Sequence, residues 1–425
     1  MRIERIEWDG AAPAQLAARL RTAAPGLDDV SEAVAAIVFR VRGSGDTALR
    51  EIAAELGEPV PDELRVAPDA VAAAPGLLEP ELRETLRLAA VNVEAVARAE
   101  LAQLERPTTA ELAQGQRVEV RASPVAAAGV YAPGGRAVYP SSVLMTAIPA
   151  RVAGVARLAV ATPPAAAGRP NAMVLAACAL AGVDEVYAIG GAQAIAALAH
   201  GTESVGAVDV IAGPGNRYVT EAKRQVAGTA GIDALAGPSE LLVVADGGAD
   251  PEWIALDLCA QAEHGDESQL VLISPDQALI DRVAELVEEI AGQRPSVAES
   301  PLALVAAPGL ELALSLADAF APEHLELVFS GADAAARGRV AGCVFVDNGG
   351  ATAFGDYAAG SNHVLPTGGA ARHGGPLGPG AFMRRSWIVT VGSAAAAELA
   401  PHVAVIAEAE GFPVHGASAR ARVKR

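Results

Sequence analysis

Four short segments of the chain carry side chains able to move protons or bind cations. In AQAEHGDESQ, Gln261 and His264 stand three residues apart at the end of an Ala- and Leu-rich helix, so they share one face. Gly265 supplies a C-cap just beyond them. An amide and an imidazole placed there form either a solvated helix end or a pair of ligands. In APEHLEL, Glu323 and His324 are adjacent and precede an apolar strand. A carboxylate beside an imidazole offers two proton carriers near neutral pH; a polar turn is the simpler reading. In FGDYAAGSNHVLPT, Asp356, Asn362 and His363 lie among small residues with no helical or strand period, as binding loops often do. In AEAEGFPVHGASARAR, Glu410 ends one helix, Gly411 and Pro413 break it, and His415 falls in the first turn of the next. A surface helix would look the same.

Gln261, His264, Asp356 and His415 together offer only nitrogen and oxygen donors. Two imidazoles, a carboxylate and an amide suit Zn²⁺ or a similar divalent ion. The spacing does not fit a zinc finger, and the HExxH pattern is absent. Elsewhere, GVYAPGG (129–135), IGGAQAI (189–195) and IAGPGN (211–216) each end an apolar run and open a helix. Backbone N–H groups at such helix starts can face a phosphate. None is a GxGxxG, but three tight turns on one sheet edge make a nucleotide crevice plausible.

These segments need a scaffold, and the chain has length for more than one core: 425 residues, 52% of them hydrophobic. Residues 1–56 and 76–105 read as helices, with Gly43 and Gly45 as a break in the first. From about 124, VAAAGVYAP, RLAVATP, EVYAIGG and DVIAGPG alternate with Ala-rich helices. Four such units imply a parallel sheet covered by helices. ELLVVAD, QLVLISP, LELVFSG and CVFVDN repeat the pattern. The expected fold is α/β: two Rossmann-like parallel-sheet domains, a helical N-terminal section and a helical C-terminal tail. The first helical section is expected to pack with the second α/β region. The tail 381–425 reads as helical, punctuated by Pro401 and Pro413, and the Gly/Pro-rich run 367–382 as a loop or boundary.

A net charge of −19 argues against nucleic acid or anionic membrane as a partner of the general surface. The apolar region 142–162 is interrupted by Pro149, Arg151 and Arg157, which does not suit a membrane span. The start, MRIERIEWDG, has no apolar signal-peptide core. Cys178, Cys259 and Cys343 are isolated and read as buried free thiols in a reducing compartment. A cytoplasmic location is expected.

The ordered set VYAPGGRAVYPSSVLM, GGAQAIAALA, IAGPGNRYV, AGPSELLVVAD, QAEHGDESQ, APEHLEL, GDYAAGSNHVLPT and EGFPVH, from about Val125 to His415, resembles histidinol dehydrogenase. The resemblance implies oxidation of L-histidinol to L-histidine through an aldehyde, with two NAD⁺ and one Zn²⁺ per subunit. It implies that Gln261, His264, Asp356 and His415 are zinc ligands and that Glu323 and His324 are the acid–base pair. Substrate contacts would be Ser239, Gln261, His264, His324, Asp356, Glu410 and His415; NAD contacts would be Tyr131, Gln193 and Asn216. It further implies a homodimer whose tails cross, so that Glu410 and His415 serve the other subunit. The expected division is an N-terminal helical arm (1–26), a zinc and substrate domain (27–128 with 238–380), an NAD-binding Rossmann-like domain (129–237) and a dimerisation tail (381–425). The chain departs from the family at Ala161, where many members carry Cys, at Ala359, where Ser is frequent, and at Pro413. No cysteine is therefore expected to act.

Three other readings fit parts of the pattern. A paralogous zinc- and NAD-dependent enzyme could act on another amino or sulfonated diol. A zinc hydrolase would use Glu323 but not the nucleotide-like turns. A structural zinc dimer would need neither Glu323 nor His324.

Overall fold

Short apolar runs followed by covering helices fold here as buried parallel strands. The computed structural model describes residues 1–21, 27–106, 108–134, 138–165, 168–297 and 299–423. The strands are β1 (Arg2–Glu7), β2 (Thr108–Glu111), β3 (Arg117–Pro124), β4 (Ala127–Tyr131), β5 (Arg157–Thr162), β6 (Glu185–Ala188) and β7 (Val210–Ala212). They continue with β8 (Gly231–Ile232), β9 (Glu240–Ala245), β10 (Gln269–Ser274), β11 (Pro301–Ala306), β12 (His324–Val328), β13 (Cys343–Val346) and β14 (Met383–Thr390).

One sheet has the order β6-β5-β4-β7-β8, the other β1-β11-β10-β9-β12-β13. Both are parallel throughout. Leaving β1 aside, they share one plan. The first strand of each unit is central, the next two lie on one side, and the last two on the other. Each therefore has a point where the winding reverses, between β4 and β7 and between β9 and β12. A third sheet, β14-β3-β2, is antiparallel.

The N-terminal expectations need correction. Residues 2–7 of the presumed helical arm form β1, which pairs in parallel with β11. RIERIE is a charge-rich period-two strand that gains its partner 299 residues later (Arg2 opposite Pro301), so local pattern alone does not reveal it. Among the described residues of that arm only 13–20 are helical; residues 22–26 lie outside them.

The helices of the next section cover the five-stranded sheet, not the six-stranded one. On Asp28–Glu55, Val30, Val34, Leu49 and Ile52 share a core with Ile195, Leu198 and Val219. On Pro80–Leu104, Leu86, Ala89 and Val93 pack with Leu144, Met145 and Ile148. These apolar stripes match the two faces of one sheet, and the expected boundary at 128/129 falls inside β4. The break expected at Gly43 and Gly45 is a kink at Gly45, whose φ of 50° favours glycine.

The segment 381–425 is helical only in part. It opens with β14 before the helices Ser393–Ala409 and Pro413–Ala421. Pro401 does not end a helix; it lies within the first of these. Among the described residues, no helix is long and apolar enough to cross a membrane.

Candidate active site

The carboxyl edge of the five-stranded sheet faces the amino edge of the six-stranded sheet across a cavity of about 360 Å³. Tyr131 ends β4 and Asn216 follows β7 on one wall; Ser239 precedes β9 and His324 opens β12 on the other. Of the residues singled out in the sequence, Tyr131, Asn216, Ser239, His264, Glu323, His324, Asp356 and His363 line this cavity. Gln261 is buried on the helix Pro251–Ala262. Gln193 is also buried, and borders a separate small pocket with Glu58, to which its amide donates at 3.2 Å. Glu410 and His415 are exposed and do not line the cavity within this chain.

Glu323 and His324 are 6% and 3% exposed, which is costly for charged groups unless they are paired. The pairing comes from Glu240, at the start of β9. Its N–H donates to Glu323 Oε2 at 2.8 Å, and the Glu323 N–H donates back to Glu240 Oε2 at 3.1 Å. The Glu240 carbonyl lies 3.1 Å from His324 Nδ1. A carbonyl only accepts, so Nδ1 carries the proton. In the neutral ring, Nε2 is then left as a base aimed toward Asp356, 3.6 Å away. Burial pushes Glu323 up to about 7 against the pull of His324. For His324, burial acts downward but the charges of Glu323 and Asp356 outweigh it, raising it to about 9.

Asp356 sits near the end of the short helix Thr352–Tyr357. The sequence showed no period there; six residues are too few to declare one. Its Oδ2 lies 4.0 Å from His264 Nε2, so one carboxylate stands between two imidazoles. Burial opposes its ionisation, but His324 and the other imidazoles hold it below the usual carboxylate value. His264 is lowered by burial, despite Asp356, which favours the neutral, ligand-competent ring. The helix Pro251–Ala262 ends slightly earlier than expected, with Glu263 as C-cap, and Gly265 follows at φ 139°. The Gln261 amide nitrogen is buried with no hydrogen-bond partner. Amide oxygen and nitrogen are interchangeable by a flip, so Gln261 has a free polar end to offer. The described residues form no cluster of three or more His, Cys, Asp or Glu able to hold a metal. Within one chain the proposed donor set lacks its second histidine.

The nucleotide-like turns are more occupied than the sequence suggested. Asn216 caps its helix by accepting from the Tyr218 and Val219 N–H groups at 3.0 and 3.2 Å. The Gly191 N–H donates to the Tyr131 hydroxyl at 3.0 Å. Part of the first turn, residues 135–137, lies outside the described residues. Gly213 (φ 121°) passes so close to β4 that a Cβ would lie 2.2 Å from the Tyr131 carbonyl oxygen. Buried Lys223 fixes this turn by donating to the Gly213 carbonyl at 3.1 Å and pairing with Asp233.

Cys178 and Cys259 are buried and Cys343 is half-buried. Burial pushes the Cys343 thiol up to about 11, so no thiolate stands ready beside Glu323. Sequence reasoning missed Glu240, Arg21 and Glu326; it placed His363 in a site-like loop but gave it no role. Glu240 and Glu326 are charged residues inside otherwise apolar strands, a signal that was there to read. His363 Nδ1 lies 2.8 Å from the Asp356 carbonyl, and its Nε2 3.4 Å from Ser142 Oγ.

A family model described as histidinol dehydrogenase matches residues 20–423. The chain belongs to the histidinol dehydrogenase family. It is 46% identical to the histidinol dehydrogenase of Rhodospirillum rubrum over 437 residues, covering 99% of each chain. Against that of Thermobifida fusca it is 42% identical over 436 residues, covering 100% of this chain and 98% of the other. The crystal structure of histidinol dehydrogenase from Elizabethkingia anophelis matches with a TM-score of 0.91 at 31% identity, over 100% of this chain and 98% of that one. Family membership and the mixed α/β fold agree with the resemblance read from the ordered motifs, and they make this chain an oxidoreductase of that family.

Proposed function

We propose that the chain oxidises L-histidinol to L-histidine through histidinal, as a zinc- and NAD⁺-dependent homodimer in the cytoplasm. The observation that carries this reading is the buried Glu323–His324 pair facing Asp356 and His264 across one cavity. The donor chemistry fits zinc. His264 is biased toward its neutral form, Asp356 toward its charged form, and Gln261 has an unpartnered buried amide. Gln261, His264 and Asp356 would hold the ion with His415 of the partner subunit. Bound zinc would anchor the imidazole and amine of histidinol, and NAD⁺ would accept hydride in each oxidation. Tyr131, Gln193 and Asn216 are the proposed NAD⁺ contacts, and Ser239 and Glu410 further substrate contacts.

The protein's own groups then divide the proton work. His324 Nε2, its other nitrogen tied to the Glu240 carbonyl, takes the hydroxyl proton as hydride leaves the carbon bearing it, acting from the neutral ring that its raised value of about 9 favours toward alkaline pH. Glu323 takes a proton from water so that the water can add to the aldehyde. His324 then removes the proton of the resulting diol in the second oxidation. Glu323 Oε2 lies 3.5 Å from His324 Nδ1 and both residues line the one cavity, which suits two tasks around one carbon. The tail supports the dimer: Trp387 and Val414 are 74% and 76% exposed, and Phe412, two residues before Val414, is exposed too.

The experiment is NADH formation from L-histidinol by zinc-loaded protein, with and without a chelator. Two NADH per histidinol, lost on chelation and restored by zinc, is expected. Failure to oxidise histidinol, with turnover of another amino or sulfonated diol, would replace this reading with the paralogous one.

A further inference from the structure

We propose that Arg21 and Glu240 are a positioning pair that holds Glu323 and His324 in their working orientations. The proposal rests on the acid–base roles given above. Glu240 is 1% exposed, and its carboxylate is saturated. Oε1 accepts from Arg21 Nε and the Gly368 N–H, each at 3.1 Å; Oε2 accepts from Arg21 Nη2 and the Glu323 N–H, each at 3.1 Å. The main chain of the same residue touches both catalytic side chains, through its N–H to Glu323 and its carbonyl to His324. No other residue with a described hydrogen bond contacts both members of the pair in this way.

Arg21 makes that saturation possible. It lies at the C-terminal end of the helix Pro13–Leu20, on a part of the chain remote in sequence from the site. Its guanidinium forks onto Glu240, donates to the Ala321 carbonyl at 3.2 Å, and lies 3.8 Å from the centre of the Phe320 ring. A planar five-donor fork meets a carboxylate, a carbonyl and a ring at once; an ammonium cannot. Ala321 has a left-handed φ of 52°, unfavourable for alanine, where the helix Leu310–Phe320 turns toward Glu323. Arg21 therefore ties together the start of β9, the turn leading into β12, and, through Glu240, the loop at Gly368. Without the fork, two acceptor sites of a buried carboxylate fall empty and the Glu240–Glu323 exchange loses its fixed side.

The test uses full-length zinc-loaded enzyme. Arg21→Ala leaves an unpaired buried charge and can fail to fold, so the decisive variants are Glu240→Gln and the double variant Arg21→Met with Glu240→Gln, which leaves no charge orphaned. Both are expected to lower kcat roughly tenfold to hundredfold, because small misplacements of reacting groups cost that much. The KM for histidinol and the zinc content should stay near wild type, and oxidation of supplied histidinal should fall most. Arg21→Lys, which keeps the charge but not the fork, should retain only part of the wild-type kcat. Wild-type kcat per zinc-loaded molecule, with the defect confined to thermal stability, would overturn the proposal. A crystal structure of Glu240→Gln gives a readout independent of turnover. The Glu323 carboxylate should leave the residue-240 N–H, and an unmoved Glu323 overturns the proposal even if the wild type acts on a different alcohol.

Discussion

The two parallel sheets share a strand order but present opposite edges to the same cavity. The five-stranded sheet offers its carboxyl edge, the usual binding edge of such folds, built from Gly, Pro and capped turns. The six-stranded sheet offers its amino edge, where strand starts and the end of a helix deliver His264, Glu323 and His324 to the cavity, with Gln261 buried behind them. Turns of small residues bring backbone close to a ligand. Strand starts anchored by buried hydrogen bonds hold charged side chains still. On the proposed function, one topology would supply a cofactor wall in one copy and a chemical wall in the other.

If this contrast is right, damage to the amino-edge wall should be the most severe. His324→Ala is expected to lower kcat for histidinol about 10²–10⁴-fold, measured as NADH release at saturating NAD⁺, with little change in zinc content. Glu323→Gln should cost a comparable factor, about 10²-fold, only in the oxidation of histidinal. The two steps are separated by supplying alcohol or aldehyde; equal losses would remove the division of labour.

Damage to the cofactor wall should be milder and fall on binding. Asn216→Ala removes a helix cap, so unfolding should cost about 1 kcal/mol less by denaturant titration. The KM for NAD⁺ should rise while zinc content stays constant.

The smallest effect concerns a carboxyl pair not used in the chemistry. Burial, then the neighbouring Asp257, raises Glu326 from 4.5 to about 8, and burial raises Asp257 from 3.8 to about 6. Glu326 accepts from the Thr352 N–H and hydroxyl at 3.0 and 2.6 Å, anchoring the helix that carries Asp356. An acid whose folded pKa is raised stabilises the fold while it is protonated. That stability is full below the unfolded pKa and is lost as pH climbs through the folded one. The Tm of zinc-loaded protein should therefore fall between about pH 4 and pH 8. Glu326→Gln should flatten that fall by roughly 2–4 °C, read by calorimetry.

Much of this was legible in the sequence, for identifiable reasons. The strand–helix units declare themselves because buried parallel strands are near-continuous apolar runs. Gln261 and His264 were singled out by helical spacing, but the helix ends at Ala262 and only His264 lines the cavity. β1 and β14 stayed hidden because they are charge-rich or exposed strands whose partners lie far along the chain. The packing of residues 28–104 was misjudged because an amphipathic stripe records that a helix is buried, not against which sheet. Glu240 was legible as a charge inside an apolar strand, but its part was not, since its partner Arg21 lies 219 positions away. The exposed His415 marks a different boundary: its expected role joins two chains, and one chain cannot display it.

The most direct test of the amino-edge wall is the product balance of Glu323→Gln given L-histidinol and excess NAD⁺. Single-turnover mixing should yield one NADH per histidinol, with histidinal accumulating at close to the wild-type rate of the first step. Two NADH per histidinol at the wild-type rate, with no aldehyde detected, would contradict the assignment of water activation to Glu323.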